Sequence, residues 1–277
     1  MADAAVSEAV KSDAGTAAVL YEVSEGIATV TLNRPERLNA WNGDVGHLYW
    51  THLDQAVADP AVKVIIVTGA GRGFCAGADM DVLQGIGSRA GQLDDRGPRR
   101  DEHQTYTLSL PKPVIAVVNG ACAGLGMVQA VMADVRFAAA GAKFTTAFSR
   151  RGLIAEYGIG WVLPKLVGPS RALDLLMSAR VVLSEEALEM GLVNRVYPAE
   201  ELMAQARAYA LDLAANVSPA SMAVIKRQVW QSVQQDLAAS NGDTDRAMRD
   251  SLKRPDFKEG VSSFLEKRPP TFAPYQS

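Results

Sequence analysis

Apolar and polar positions alternate over residues 18–23 and 27–32, with a break at Glu25-Gly26, which predicts two strands joined by a tight turn. The spacing changes to helical over residues 40–57, and Asp59-Pro60 ends that run. Short apolar runs at residues 62–68, 114–118, 135–138 and 144–148, each bounded by Gly, Pro or polar residues, predict further strands. Helices are expected over residues 170–177 and from a capping Ser184 to Gly191, followed by a strand over 192–197. Beyond Pro198 the pattern is helical throughout: residues 200–216, 219–239, 244–252 and 256–268, with Asp256 and Glu259 spaced as a capping box. Residues 85–100 mix Gly, Ser, Asp and Arg without period and predict a mobile loop. The chain therefore divides into a flexible N-terminus (1–16), an α/β body (17–198) and a helical C-terminal region (199–277).

Composition narrows the chemistry. The 277 residues are 48% hydrophobic and 21% charged, with a formal net charge of −3, the balance of an ordinary globular protein. That charge gives no basis for binding nucleic acid or a membrane surface, and no window approaches the ~20 apolar residues of a membrane span. The first sixteen residues lack an apolar core and do not read as a signal peptide. Two cysteines, Cys75 and Cys122, form no disulfide framework and read as small buried residues of a cytoplasmic protein. Three histidines without metal-ligand spacing, and no Cys-x-x-Cys, speak against a metal. Neither a Gly-x-Ser-x-Gly elbow nor a Gly-Lys-Ser/Thr phosphate loop occurs.

Two glycine-punctuated turns carry the positive signal. Gly73-Phe74-Cys75-Ala76-Gly77-Ala78-Asp79-Met80 and Asn119-Gly120-Ala121-Cys122-Ala123-Gly124-Leu125-Gly126 each follow an apolar run and lead into a helix-compatible stretch. Glycine admits close approach of a ligand to the backbone, and a helix start leaves N–H groups unpaired. Two such groups converging on one carbonyl oxygen form an oxyanion hole, suited to an enolate or a tetrahedral intermediate. Dinucleotide binding by Gly71-Arg72-Gly73-Phe74-Cys75-Ala76 is a poorer reading, because loop-like sequence replaces the long helix and second strand of such a unit.

The order of motifs resembles the crotonase superfamily, the enoyl-CoA hydratase/isomerase family. The matching pieces are Leu32-Asn33-Arg34-Pro35-Glu36-Arg37-Leu38-Asn39-Ala40, the glycine turn from Gly73 to Met80, Pro111-Lys112-Pro113-Val114-Ile115-Ala116 with Asn119-Gly120, Gly152-Leu153-Ile154, Leu163-Pro164-Lys165-Leu166-Val167-Gly168, Glu189-Met190-Gly191-Leu192-Val193-Asn194 and Phe264-Leu265-Glu266-Lys267-Arg268. The resemblance implies a spiral of ββα repeats and C-terminal helices that build a trimer, often paired into a hexamer. It also implies an acyl-coenzyme A thioester as substrate, with coenzyme A as part of that substrate and no separate cofactor.

On the same resemblance, the backbone N–H groups of Ala78 and Leu125 are the oxyanion donors. The two glutamates of the family's hydratases fall on Val128 and Phe148, neither of which accepts a proton. Glu156 stands where some isomerases of the family carry a single acidic base, and apolar neighbours such as Phe148, Ile154 and Trp161 would raise its pKa. Read by position alone, Glu156 could equally complement a helix dipole. Arg37, Ala76, Ala78, Phe264 and Lys267 match coenzyme A contacts, the last two often supplied by a neighbouring subunit; surface charge is the alternative for Arg37 and Lys267. Asp79 reads as structural, and His103 and Tyr106 as pocket or packing residues. The expected activity is double-bond isomerisation of an enoyl-CoA. The alternatives are hydration or thioester hydrolysis with Glu156 alone, and non-catalytic binding of acyl-CoA.

Overall fold

The computed structural model describes residues 17–89 and 103–275. The first hairpin is present as β1 (Val19–Ser24) and β2 (Ile27–Leu32), with Ser24 opposite Ile27. Glu25 and Gly26 between them both take positive φ, 54° and 79°, the twist that suits a two-residue hairpin. α1 (Gly43–Ala58) starts later than its apolar spacing predicts because Asn42 accepts from the Val45 N–H at 2.9 Å and caps the helix there. Trp41 is left extended and bridges Ala78.

One unit then repeats three times. β3 (Val64–Gly69), β4 (Gly73–Cys75) and α2 (Met80–Arg89) form the first, and β5 (Val114–Val118), β6 (Ala121–Ala123) and α3 (Leu125–Met132) the second. The third is β7 (Val135–Ala139), β8 (Lys143–Thr145) and α4 (Ile159–Val167), followed by α5 (Pro169–Ser178), β9 (Val182–Leu183), α6 (Ser184–Glu189) and β10 (Arg195–Tyr197). The first strand of each unit enters a six-stranded sheet ordered β1-β2-β3-β5-β7-β10, and the second enters a four-stranded sheet ordered β4-β6-β8-β9. Successive units pair in parallel in both sheets, so the chain advances as a ββα spiral. β3 and β5 are buried at every position, as central parallel strands covered on both faces must be.

α7 (Ala199–Asn216) crosses the larger sheet on Leu202, Ala206, Ala210 and Ala214, all buried at a spacing of four. Lys63 Nζ donates to the Ala214 carbonyl at 2.8 Å, a cation at the helix C-terminus. α8 (Pro219–Ser232), α9 (Leu237–Ser251) and α10 (Pro255–Glu266) complete the chain. Among the described residues no single helix is long and apolar enough to cross a membrane.

Several local expectations are corrected by competing hydrogen bonds. The helix expected over 219–239 breaks, because the Asp236 carboxylate accepts from the Ala239 N–H at 2.8 Å and starts α9. No capping box forms at α10: Asp256 accepts from the Ser218 hydroxyl, and Glu259 instead binds Arg268 and the Thr271 N–H, each at 2.6 Å. Ser184 is the first residue of α6 rather than its cap, and its hydroxyl is buried without a partner. The strand expected over 144–148 stops at Thr145, and Ala147 lies at φ 61°. Residues 85–89, expected as loop, are the last turns of α2. Residues 90–100 of that expected loop, and the N-terminus 1–16, lie outside the described residues.

Candidate active site

β4 and β6 run side by side, Gly73 opposite Ala121 and Cys75 opposite Cys122, so the two glycine turns leave the small sheet at one edge. Both cysteine side chains are buried, and burial pushes their thiols up, that of Cys75 to about 11. Gly126, the second residue of α3, lets the helix start sit directly on β4, since a Cβ there would lie 2.2 Å from the Cys75 carbonyl oxygen. Gly77 takes φ +100° and would place a Cβ 3.1 Å from the Ala123 carbonyl oxygen. Any side chain at either position would push the turns apart.

The backbone donors follow from this packing. Trp41 N donates to Gly77 O at 2.7 Å, and Asp79 N donates to Trp41 O at 2.8 Å. In a parallel pairing of that register the N–H of the residue between, Ala78, faces away from Trp41. Leu125 opens α3 after Gly124, and the first bond there, Val128 N to Gly124 O at 3.0 Å, lies beyond it. No described residue accepts from the N–H of Ala78 or of Leu125. Both residues line one cavity of about 340 Å³. Two unpaired donors, one at the positive end of a helix, beside an apolar cavity constitute the means to hold an oxyanion.

Trp41, Val82, Phe148 and Leu153 supply much of the apolar wall. Glu156 is the one carboxylate among the described residues that line it. The Glu156 side chain is half-buried, no described residue hydrogen-bonds it, and burial raises its carboxyl above the usual glutamate range. Tyr157 and Gly158 follow at φ 56° and 77°, a reversal that sends Ile159 into the core while Glu156 stays on the cavity wall. Gly158 is the cap residue of α4 and no side chain caps that helix, so Glu156 is not a capping group. Burial, with the negative Glu156 adding, also raises the Tyr157 phenol.

Residues 22–274 match the family model for enoyl-CoA hydratase/isomerase. The chain belongs to this family. It is 38% identical over 257 residues to a probable enoyl-CoA hydratase of Rhodobacter capsulatus, covering 92% of this chain and 97% of that protein. It is 35% identical over 265 residues to 1,2-epoxyphenylacetyl-CoA isomerase of Escherichia coli, covering 92% of this chain and 97% of that one. The crystal structure of a probable enoyl-CoA hydratase/isomerase from Mycobacterium abscessus superposes with a TM-score of 0.84 at 30% identity, covering 93% of this chain and 99% of that chain. An enoyl-CoA hydratase from Mycobacterium marinum is 48% identical with a TM-score of 0.68, covering 79% of this chain and 100% of that chain. The crotonase-type spiral expected from the motifs is thus the fold of this enoyl-CoA hydratase/isomerase family member.

Of the other residues singled out in this family member, Val128 is buried within α3 and Phe148 lines the cavity, so both hydratase-glutamate positions are apolar. Ile154 is 79% exposed and Trp161 packs near Trp230 outside this cavity, so neither buries Glu156; Phe148 and Leu153 share its wall instead. Asp79 is structural: the Arg34 guanidinium at 2.8 Å, helped by the Asp81 N–H at 3.3 Å, holds its carboxyl below the usual range. His103 is exposed beside Thr105 and is a surface residue, whereas Tyr106 donates to Asp54 at 2.6 Å and packs against the edge of Trp50. Ala76 lines the cavity; Arg37 is exposed at the end of a short turn, Pro35–Arg37, and does not. Phe264 and Lys267 stand at the end of α10, away from the cavity wall of this chain. Sequence reasoning missed Trp41, Gln104 and Arg151, which also line the cavity. Trp41 was hidden inside an apolar run that reads as helix, and Gln104 and Arg151 carry no spacing signal.

Proposed function

We propose that the protein isomerises a 3-enoyl-CoA to the conjugated 2-enoyl-CoA, with Glu156 as its sole base. The Glu156 carboxylate takes a proton from C2, and the electron pair moves into the thioester carbonyl. The resulting dienolate oxygen rests on the N–H groups of Ala78 and Leu125. The protonated Glu156 then returns the proton to C4 while the double bond settles between C2 and C3. Proton number and oxidation state are unchanged. The observation that carries the reading is that, among the described residues, one carboxylate stands on the wall of the cavity that holds both unpaired donors. A raised pKa suits it, because the same group must give the proton back.

Coenzyme A would lie along Ala76 and Arg37, with Phe264 and Lys267 of another subunit at the nucleotide. The assembly proposed is a homotrimer or hexamer, and α10 offers it the exposed Phe264 and Leu265. Free, buried Cys75 and Cys122 accord with a cytoplasmic setting. A second reading, in which the acyl group is aromatic, draws on Trp41, Phe148 and Tyr157 around the cavity and on the name of the Escherichia coli relative. Glu156→Gln tests the proposal: turnover of a 3-enoyl-CoA should fall by roughly 10³-fold, with acyl-CoA binding retained. Undiminished turnover in this variant would remove Glu156 as the base.

A further inference from the structure

Gln104 stands in the cavity wall and takes no part in the proton transfer proposed above. Its Oε1 accepts a hydrogen bond from Nε2 of Gln129, a residue of α3 only 2% exposed. The Oε1 of Gln129 is buried without a partner among the described residues. An amide so placed is costly, since a buried carbonyl oxygen left unbonded loses more than one hydrogen bond returns. Leu or Met would fill the same helical position without that cost.

Two contacts place the pair between the reacting elements. Gln129 follows Leu125 by four residues, so its amide lies on the face of α3 that begins with an oxyanion donor. Thr105, next to Gln104, packs on Gly158, where a Cβ would lie 2.7 Å from Thr105 Cγ2. The turn carrying Gln104 therefore abuts the turn carrying Glu156. With Oε1 held by Gln129, Nε2 is the amide atom left for the cavity, and no described residue accepts from it.

We infer that Gln104 is a specificity residue that hydrogen-bonds a neutral oxygen on the acyl group, so that the substrates are acyl-CoA thioesters bearing a hydroxyl or similar oxygen beyond the thioester. The inference rests on the acyl-CoA reading of the cavity, not on which reaction Glu156 performs. The oxygen is neutral because the amide carries no charge to balance an anion, and Arg151, the one cation among the described residues of the wall, already shares it with Glu156. A hydroxyl suits the site best. It accepts from Nε2, and it donates to Oε1 should the two amides turn together about their last torsions.

Calorimetric titration of the full-length protein with butyryl-CoA, 3-hydroxybutyryl-CoA and 4-hydroxybutyryl-CoA tests this without any turnover. One hydroxyacyl ligand should bind roughly 3- to 10-fold more tightly than butyryl-CoA. Gln104→Met should remove that preference, so that the ratio of hydroxyacyl-CoA to butyryl-CoA affinity falls to about one. Gln104→Ala gives the same readout should the Met variant disturb the wall, and Gln129→Met should weaken the preference by releasing Gln104. Equal affinities for all three ligands in the wild type, or a preference that survives both Gln104 substitutions, would overturn the inference while leaving the proposed isomerase intact. Failure of all three ligands to bind would overturn the acyl-CoA reading and this inference together.

Discussion

Asp79, next to the donor Ala78, and Glu156, on the cavity wall, are carboxylates with opposite electrostatics, and they predict opposite responses to pH. Arg34, 2.8 Å from Asp79, lowers its carboxyl pKa in the folded state. The stability this contributes is present above the unfolded carboxylate value and is lost as pH falls through the lowered native one. Asp79→Asn should cost about 1.5–3 kcal/mol at neutral pH, the scale of a hydrogen bond to a charged group, and urea unfolding across pH should show a flatter acid limb than wild type. Glu156 is raised by burial, so stability is lost as pH climbs from the unfolded carboxylate value through the raised native one. Glu156→Gln should thus melt slightly higher than wild type at pH 7 by calorimetry. The acid limb of kcat/KM for a 3-enoyl-CoA should lie above the ordinary glutamate range. Both residues were legible in the sequence, Asp79 as part of a turn and Glu156 through family spacing. Gln104 was not: its assignment depends on Gln129, 25 residues away, and no local pattern joins them.

At the scale of elements, the site depends on α3 seating on β4. The Cys75 carbonyl oxygen occupies the space a side chain on Gly126 would need. Gly126→Ala should lift the helix start from the sheet, misplace the Leu125 N–H and lower kcat by at least ~10²-fold, the scale of one lost oxyanion donor. Circular dichroism should show the helical content retained; full activity would contradict the seating. The short buried strands β3, β5 and β7 were legible because apolar runs bounded by turn residues admit few other structures. Element boundaries were less so. Asn42 and Asp236 start helices where apolar spacing runs straight through, and the short strands β4 and β6 are marked by glycines more than by period.

At the scale of the whole molecule, Leu237, Phe264 and Leu265 on α9 and α10 are 76%, 83% and 72% exposed. Each would contribute about 1.5–3 kcal/mol if buried. Phe264→Glu with Leu265→Glu should shift the protein toward monomer in light scattering, and should weaken coenzyme A binding if Phe264 reaches the nucleotide of a neighbour. An apolar residue on a helix reads the same in sequence whether it faces its own core or a second copy, so helix positions were legible here and their partners were not. The whole spiral, by contrast, was legible through motifs kept in order along the chain, two of them the glycine turns that contain β4 and β6. In the proposed reaction one carboxylate and two backbone N–H groups move a double bond. The direct measurement follows the ultraviolet absorbance of the conjugated thioester with a short 3-enoyl-CoA and, in parallel, its 2-enoyl isomer. A rise with the 3-enoyl substrate that Glu156→Gln abolishes is the predicted result; a fall with the 2-enoyl substrate and no change with the 3-enoyl one would mean hydration and contradict the account.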